Sequence, residues 1–158
     1  IASVLSEKFS VLKTEGNYNN EIGEPLTVLK IRDNHEIAVI EMGMSGFNEI
    51  EYLVNIVNPQ IGVISNIGLS HVERLGSREG IFKAKMEITT NFDENSTLIV
   101  NGDDDMLATL KGKDLKYNLK TFGFEKDNTI YCVDFEMNDN DTIFNVMIDN
   151  KIEKNFIF

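Results

Sequence analysis

Between Val11 and Leu110, short apolar runs alternate with stretches of helical periodicity, and that alternation leaves few folds open. Val11 and Leu12 form the first run. A polar loop from Thr14 to Gly23 follows, then a helix with Pro25 in its first turn that carries Leu26, Val28 and Leu29. Ile37 to Ile40 is a continuous apolar run of the kind buried on both faces of a sheet, and a helix near Phe47 to Val57 is stopped by Asn58-Pro59. A third strand, Ile61 to Ser65, leads through a long loop to a helix from about Arg78 to Thr90. A fourth, Thr97 to Val100, leads to a helix near Asp105 to Leu110. The pattern predicts an α/β fold, a mostly parallel, doubly wound sheet with helices on both faces.

After Lys111 the texture changes. Lys120 to Phe124, Thr129 to Glu136, Thr142 to Ile148 and Ile152 to Phe158 are strand-like runs separated by the Asp- and Asn-rich turns MNDNDT and DNK. They predict antiparallel hairpins appended to the parallel sheet. Ile1 to Lys8 reads as the last turns of an amphipathic helix with no cap before it, and the last run reaches the final residue without a loop. Further chain is therefore expected at both ends.

The chain has 158 residues, 42% of them hydrophobic, enough for one domain with its own core. Its 15 basic and 26 acidic residues give a net charge of −11 and form no basic cluster, which argues against nucleic acid or an anionic membrane as partner. An anionic ligand such as a nucleotide would then need local cations, backbone N–H groups or metal ions. The single cysteine, Cys132, lies among Ile130, Tyr131 and Val133 and reads as a strand residue rather than a reactive thiol, consistent with a reducing cytoplasm. No apolar run approaches the ~20 residues needed to span a bilayer.

In open parallel sheets, ligands bind beyond the carboxyl ends of the strands. Four such exits carry polar residues: TEGNYNN after Val11 and Leu12, Glu41 after Ile37 to Ile40, Asn66 and then His71 after Ile61 to Ser65, and Asn101 after Leu98 to Val100. These are expected to share one rim. Glu41 leaves an apolar strand into Met42-Gly43-Met44, a setting in which a carboxylate wants a cation; the plainer reading is a helix cap or a loop carboxylate paired with lysine. His71 lies in NIGLSHVE just past a strand, where a histidine is either a ligand or simply a loop residue. In the helix near Arg78 to Thr90, Ile81, Ala84 and Ile88 form an inward stripe that includes Lys85, with Lys83 and Glu87 expected to point the other way. Such a lysine either snorkels to the surface or pairs with an acid; otherwise it is buried as a neutral amine ready for covalent chemistry. TEGNYNNEIG has three asparagines in four positions, suiting a turn or a grip on phosphate or sugar. NGDDD reads as a strand exit with an acidic helix start.

Taken in order, TEGNYNNEIGEPLT, AVIEMGM, ISNIGLSHVERLGSREGIFKAKMEI and IVNGDDD resemble the central, nucleotide-binding domain of the Mur ligase family, strongly from Ile1 to about Leu110 and by position and texture beyond. The TEGNYNNEIGEPLT block looks like the members that add D-alanyl-D-alanine. The resemblance implies a P-loop-like α/β domain within a bacterial, cytoplasmic ligase of cell-wall precursor synthesis that uses ATP and magnesium. It implies that Glu41 binds magnesium bridging the ATP phosphates, that His71 helps hold a second ion, and that Lys85 is carbamylated and supplies anionic oxygens. Thr14, Asn17, Asn20 and Asn66 would line the phosphate and precursor site; Asn101 and Asp104 would lie beside the adenosine. The implied reaction moves the ATP γ-phosphoryl group onto the terminal carboxylate of UDP-N-acetylmuramoyl-tripeptide, and the amine of D-alanyl-D-alanine displaces phosphate from the acyl phosphate.

Where such a domain carries a Gly-rich phosphate loop ending in Gly-Lys-Thr, it would precede Ile1, and the resemblance implies N- and C-terminal domains besides. The stretch alone is expected to lack ligase activity and to bind ATP weakly at best. Gly102 stands where the family usually has alanine, which should loosen the turn without removing a ligand. Rival readings are a folylpolyglutamate- or cyanophycin-type ligase sharing the metal site, which TEGNYNNEIG argues against, and a non-catalytic nucleotide-sugar binding module.

Overall fold

The computed structural model describes residues 1–138, 141–149 and 151–157. The centre of the MNDNDT turn, Asn150 in DNK, and Phe158 lie outside the described residues. The fold divides into two compact units, one formed by residues 1–59 and 69–91, the other by 60–68 and 92–158.

In the first unit, α1 (Ala2–Ser6) leads to β1 (Val11–Lys13), which pairs in parallel with β2 (Ile37–Val39), Val11 opposite Ile37. Ala38 is exposed and its neighbours are half-buried, so β2 is not covered on both faces as its apolar run predicts. Between these strands α2 (Gly23–Val28) departs further from expectation. Leu26 and Leu29 are exposed, while Gly23, Glu24 and Thr27 are buried. The Thr27 hydroxyl donates to the Gly23 carbonyl at 3.0 Å, and a Cβ on Gly23 would overlap the backbone of Tyr18, so the small, polar side of the helix is the one that packs.

α3 (Glu49–Val57) is amphipathic as read: Ile50, Leu53 and Val54 are buried at one-turn spacing. It ends at Asn58, which takes the left-handed conformation (φ 47°) before Pro59. α4 (Val72–Leu75) follows His71, itself left-handed at φ 65°, and α5 (Arg78–Met86) starts at Ser77, whose hydroxyl accepts the Gly80 N–H at 3.2 Å. Ile81 and Ala84 of α5 are buried, Lys85 is half-buried and Lys83 is exposed over the Phe47 ring. Glu87 does not turn to solvent as the periodicity predicts. The chain tightens into a 3₁₀ turn at Glu87–Thr89, and the carboxylate accepts the N–H groups of Asn48 (2.8 Å) and Glu51 (3.2 Å) at the start of α3.

The second unit holds a six-stranded sheet in chain order: β3 (Ile61–Ile64), β4 (Thr97–Asn101), β5 (Asn118–Gly123), β6 (Ile130–Met137), β7 (Thr142–Ile148) and β8 (Lys151–Ile157). β3, β4, β5 and β6 are mutually parallel, and β6, β7 and β8 antiparallel. The hairpins thus begin one strand later than the sequence predicts. β6 touches only the end of β5, Phe122 opposite Ile130 and Gly123 opposite Tyr131, and two threonines fix this contact. Each hydroxyl accepts the other's backbone N–H, Thr121 N–H to Thr129 at 3.0 Å and Thr129 N–H to Thr121 at 2.9 Å. Leu98 and Val100 of β4 are fully buried, with Ile64, Ile67, Phe92, Leu107 and Leu110 as core partners in this unit. The stretch after β4 is a 3₁₀ turn, Leu107–Leu110, instead of an α-helix. Cys132 sits in β6 as read; burial, then the Asp134 charge, push its thiol above the ordinary range, and the thiol lies 3.3 Å from the Asp134 carbonyl, to which it donates.

Candidate active site

In the first unit, the exits of β1 and β2 are tied together. Thr14 donates its N–H to the Val39 carbonyl at 3.0 Å, and its hydroxyl accepts the Glu41 N–H at 2.9 Å. Asn19 completes the tie: its amide donates to Glu41 Oε1 at 2.8 Å, and its carbonyl accepts the Gly43 N–H at 2.6 Å. Gly43 is needed because a Cβ there would press on the Asn19 amide at about 2.9–3.0 Å. The Glu41 carboxylate is therefore held at one oxygen and exposed.

Asn20 shapes the next turn. Its Oδ1 accepts the N–H groups of Ile22 (3.1 Å) and Gly23 (2.9 Å), satisfying donors at the start of α2. Asn19 and Asn20 line a hollow of about 920 Å³ together with Ser45, Asn48, His71 and Arg74. Of the residues read from the sequence, the structure thus brings Asn20 and His71 to one cavity, and Thr14 and Glu41 to its edge through Asn19. Asn17 is exposed in the same loop, and Lys85 lies half-buried on α5, outside the lining.

Sequence reasoning did not single out Asn19, Ser45 or Arg74. Asn19 stood among the asparagines of the loop, but only the turn geometry shows that it, rather than a neighbour, reaches Glu41. Among the described residues no three His, Cys, Asp or Glu side chains cluster as a metal set.

The second unit groups the other exits. Asp104 Oδ2 accepts the Ile67 N–H at 2.8 Å, and Oδ1 accepts those of Met106 and Leu107, so its carboxylate joins the ends of β3 and β4. Asn66 lies beside Ser65 Oγ, and Asn101 Oδ1 accepts the Asp103 N–H at 3.0 Å. Burial pushes the Asp103 carboxyl up, but the Phe124 N–H, the Asn128 amide, the Glu125 N–H and the Lys111 charge outweigh it and hold it below its usual range. Gly102 is not loose: a Cβ would fall on Asn128 Oδ1, a buried oxygen. Asn101 also edges a largely apolar hollow of about 660 Å³ that includes Phe122, Tyr131 and Phe144.

Comparison with known proteins identifies the family of the chain. The Mur ligase middle domain matches residues 1–157. The UDP-N-acetylmuramoyl-tripeptide–D-alanyl-D-alanine ligase of Bacillus subtilis is 43% identical over 146 residues, 92% of this chain and 31% of that protein. The Escherichia coli enzyme of the same name is 38% identical over 103 residues, covering 65% and 23%. Among solved structures, MurF from Acinetobacter baumannii superposes with a TM-score of 0.85 at 30% identity, over 96% of this chain and 33% of that one. MurF from Thermotoga maritima in complex with ADP gives 0.81 at 32%, over 97% and 34%. L. casei FPGS, at 16% identity and a TM-score of 0.58, shares the fold alone. The chain spans about a third of the length of the Bacillus subtilis and Acinetobacter baumannii ligases. With a middle-domain match running from Ile1 through Ile157 and the strand-exit residues assembled as described, this chain belongs to the Mur ligase family.

Proposed function

We propose that this segment forms the ATP- and precursor-handling part of a bacterial, cytoplasmic ligase that joins D-alanyl-D-alanine to UDP-N-acetylmuramoyl-tripeptide. One observation carries the reading furthest: Thr14 and Asn19 fix the backbone and carboxylate of Glu41 beside the hollow that His71 lines. The relatives that share this segment are named for that reaction. No helix among the described residues is long and apolar enough to cross a membrane.

The donor set fits a hard divalent ion only if a third oxygen ligand joins Glu41 and His71. Glu41 supplies a carboxylate with one oxygen already oriented by Asn19, and His71 an imidazole. A lysine ammonium cannot ligate, whereas a carbamate on Lys85 would bring anionic oxygens. Magnesium bound there would neutralise charge between the ATP phosphates and the substrate carboxylate. The chain's own work is positional: the Asn17, Asn19 and Asn20 loop offers amides to the phosphates and precursor, and Thr14 fixes the direction in which Glu41 leaves β2. In the second unit, Asn66 is assigned to the precursor. The apolar hollow beside Asn101 supports a place there for the adenosine, with Asp104 holding the two strand exits in register.

The test is phosphate release from ATP by the full-length protein. Release is expected only when both the tripeptide precursor and D-alanyl-D-alanine are present, with one amide formed per phosphate. Glu41→Gln and Lys85→Ala should each lower the rate by about 100-fold or more, and labelled bicarbonate should yield a carbamate signal that Lys85→Ala abolishes. The 158-residue chain alone should form no amide. Nucleotide and precursor binding without turnover would favour the binding-module reading, and turnover indifferent to the precursor would refute the proposal.

A further inference from the structure

The hollow beside Glu41 holds an arginine that the ligase reading leaves without a task. Arg74, at the end of α4, directs one guanidinium N–H at Ser45 Oγ (3.0 Å). Ser45 is itself oriented: its N–H donates to Glu49 Oε2 at 2.7 Å, and its hydroxyl lies 3.3 and 3.4 Å from the two Glu49 oxygens. With its proton directed at the carboxylate, the Ser45 hydroxyl turns a lone pair to Arg74. Gly46 keeps that link open, since a Cβ there would meet Glu49 Oε1 at 3.0 Å. An exposed arginine is ordinarily a mobile cation; here one hydrogen bond, backed by Glu49 through Ser45, orients it at the wall of a hollow of about 920 Å³.

Arg74 is the only lysine or arginine lining this hollow among the described residues, and its wall includes two carboxylates, Glu21 and Glu49. Glu49 is engaged by Ser45. The start of α3 offers no substitute anion site, because Glu87 already accepts the Asn48 and Glu51 N–H groups. A guanidinium has five N–H donors in a planar fork, and one meets Ser45, leaving an edge whose geometry suits a carboxylate.

We infer that Arg74, held by Ser45 and Glu49, is a specificity-determining residue that receives the carboxylate at the side-chain end of the third residue of the substrate's peptide arm, apart from the carboxylate that reacts. The inference rests on the ligase reading above and deepens it. It predicts preference for a tripeptide whose third residue ends in an additional carboxylate over one whose third residue ends only in an amine, because the latter leaves the fork facing an unpaired cation.

The experiment uses the full-length enzyme, both tripeptide precursors, and UDP-N-acetylmuramate without peptide as a competitor. Wild type should show the lower KM for the carboxylate-bearing tripeptide. Arg74→Gln should raise that KM by about 10–100-fold, the range set by a lost charged hydrogen-bonded pair, with kcat and the amine-ending tripeptide little changed. Arg74→Lys, which keeps the charge and loses the fork, should fall between. Equal loss for both tripeptides, or no change for either, overturns the assignment. Weaker competition by UDP-N-acetylmuramate in Arg74→Gln also overturns it, since the anion held would then be the diphosphate. If wild type turns over neither tripeptide, the ligase reading falls and the inference with it, an outcome separate from a working enzyme indifferent to Arg74.

Discussion

The Asn19 amide donates to Glu41 Oε1 at 2.8 Å while the carbonyl of the same asparagine accepts the Gly43 N–H at 2.6 Å, so one residue grips both the carboxylate and the strand exit that bears it. Asn19→Ala should remove the side-chain half of this grip and leave the backbone half. Groups that orient a metal-binding or catalytic carboxylate commonly contribute about 10–100-fold to activity, and a loss of that size in kcat/KM is expected with little change in Tm. Full activity in the variant would show that Glu41 needs no such support.

Glu24 is fully buried on α2 with neither carboxylate oxygen hydrogen-bonded, and burial raises its pKa from the ordinary 4.5 to about 7. The unfolded chain releases this proton above pH 4.5, whereas the folded chain keeps it until about 7. Between those values the folded state binds more protons, so stability falls as pH rises and levels off above the folded pKa, a loss of about 3 kcal/mol in all. Glu24→Gln should abolish the dependence. Urea midpoints of the full-length protein and the variant, compared at about pH 5 and about pH 8, should diverge at the higher pH with the variant more stable. Parallel midpoints at both would mean that Glu24 ionises in the folded chain as it does in the unfolded one.

Gly102 and Asn128 should behave as a pair. Alanine at position 102 drives a methyl group onto Asn128 Oδ1, whose amide nitrogen is fixed by Asp103 Oδ1 (2.7 Å) and the Glu125 carbonyl (3.0 Å) and so cannot swing away freely. Gly102→Ala should cost about 1–3 kcal/mol. Asn128→Ala alone also destabilises, by freeing those acceptors, yet the double variant should lose less than the sum by about 1 kcal/mol or more. Strict additivity in denaturant titrations would count against the contact.

Much of the first unit could be read from residue order because local rules governed it. Asn58-Pro59 ends α3, α5 begins at Arg78, and Glu41 follows just beyond β2 as the order of residues implied. Other features depended on phase or partners that a linear pattern lacks. Glu87 has the position of a solvent-facing residue on a continuous α-helix, but the tightening at that residue swings it toward α3. Leu26 and Leu29 look like core residues until Gly23 and Thr27 are seen to pack instead. The parallel joining of β5 and β6 by so short a link runs against the usual need for a long crossover, and depends on the reciprocal threonine bonds. Asn19, Ser45 and Arg74 meet their partners only through turns whose shape the sequence does not state.

The Glu87 contact also bears on how α3 is held. This carboxylate lies two positions beyond Lys85 and is fastened to the backbone of α3 at both Asn48 and Glu51. The turn after the lysine and the first turn of α3 are thus held together through a single side chain, and loss of that carboxylate would free two N–H groups of α3 at once.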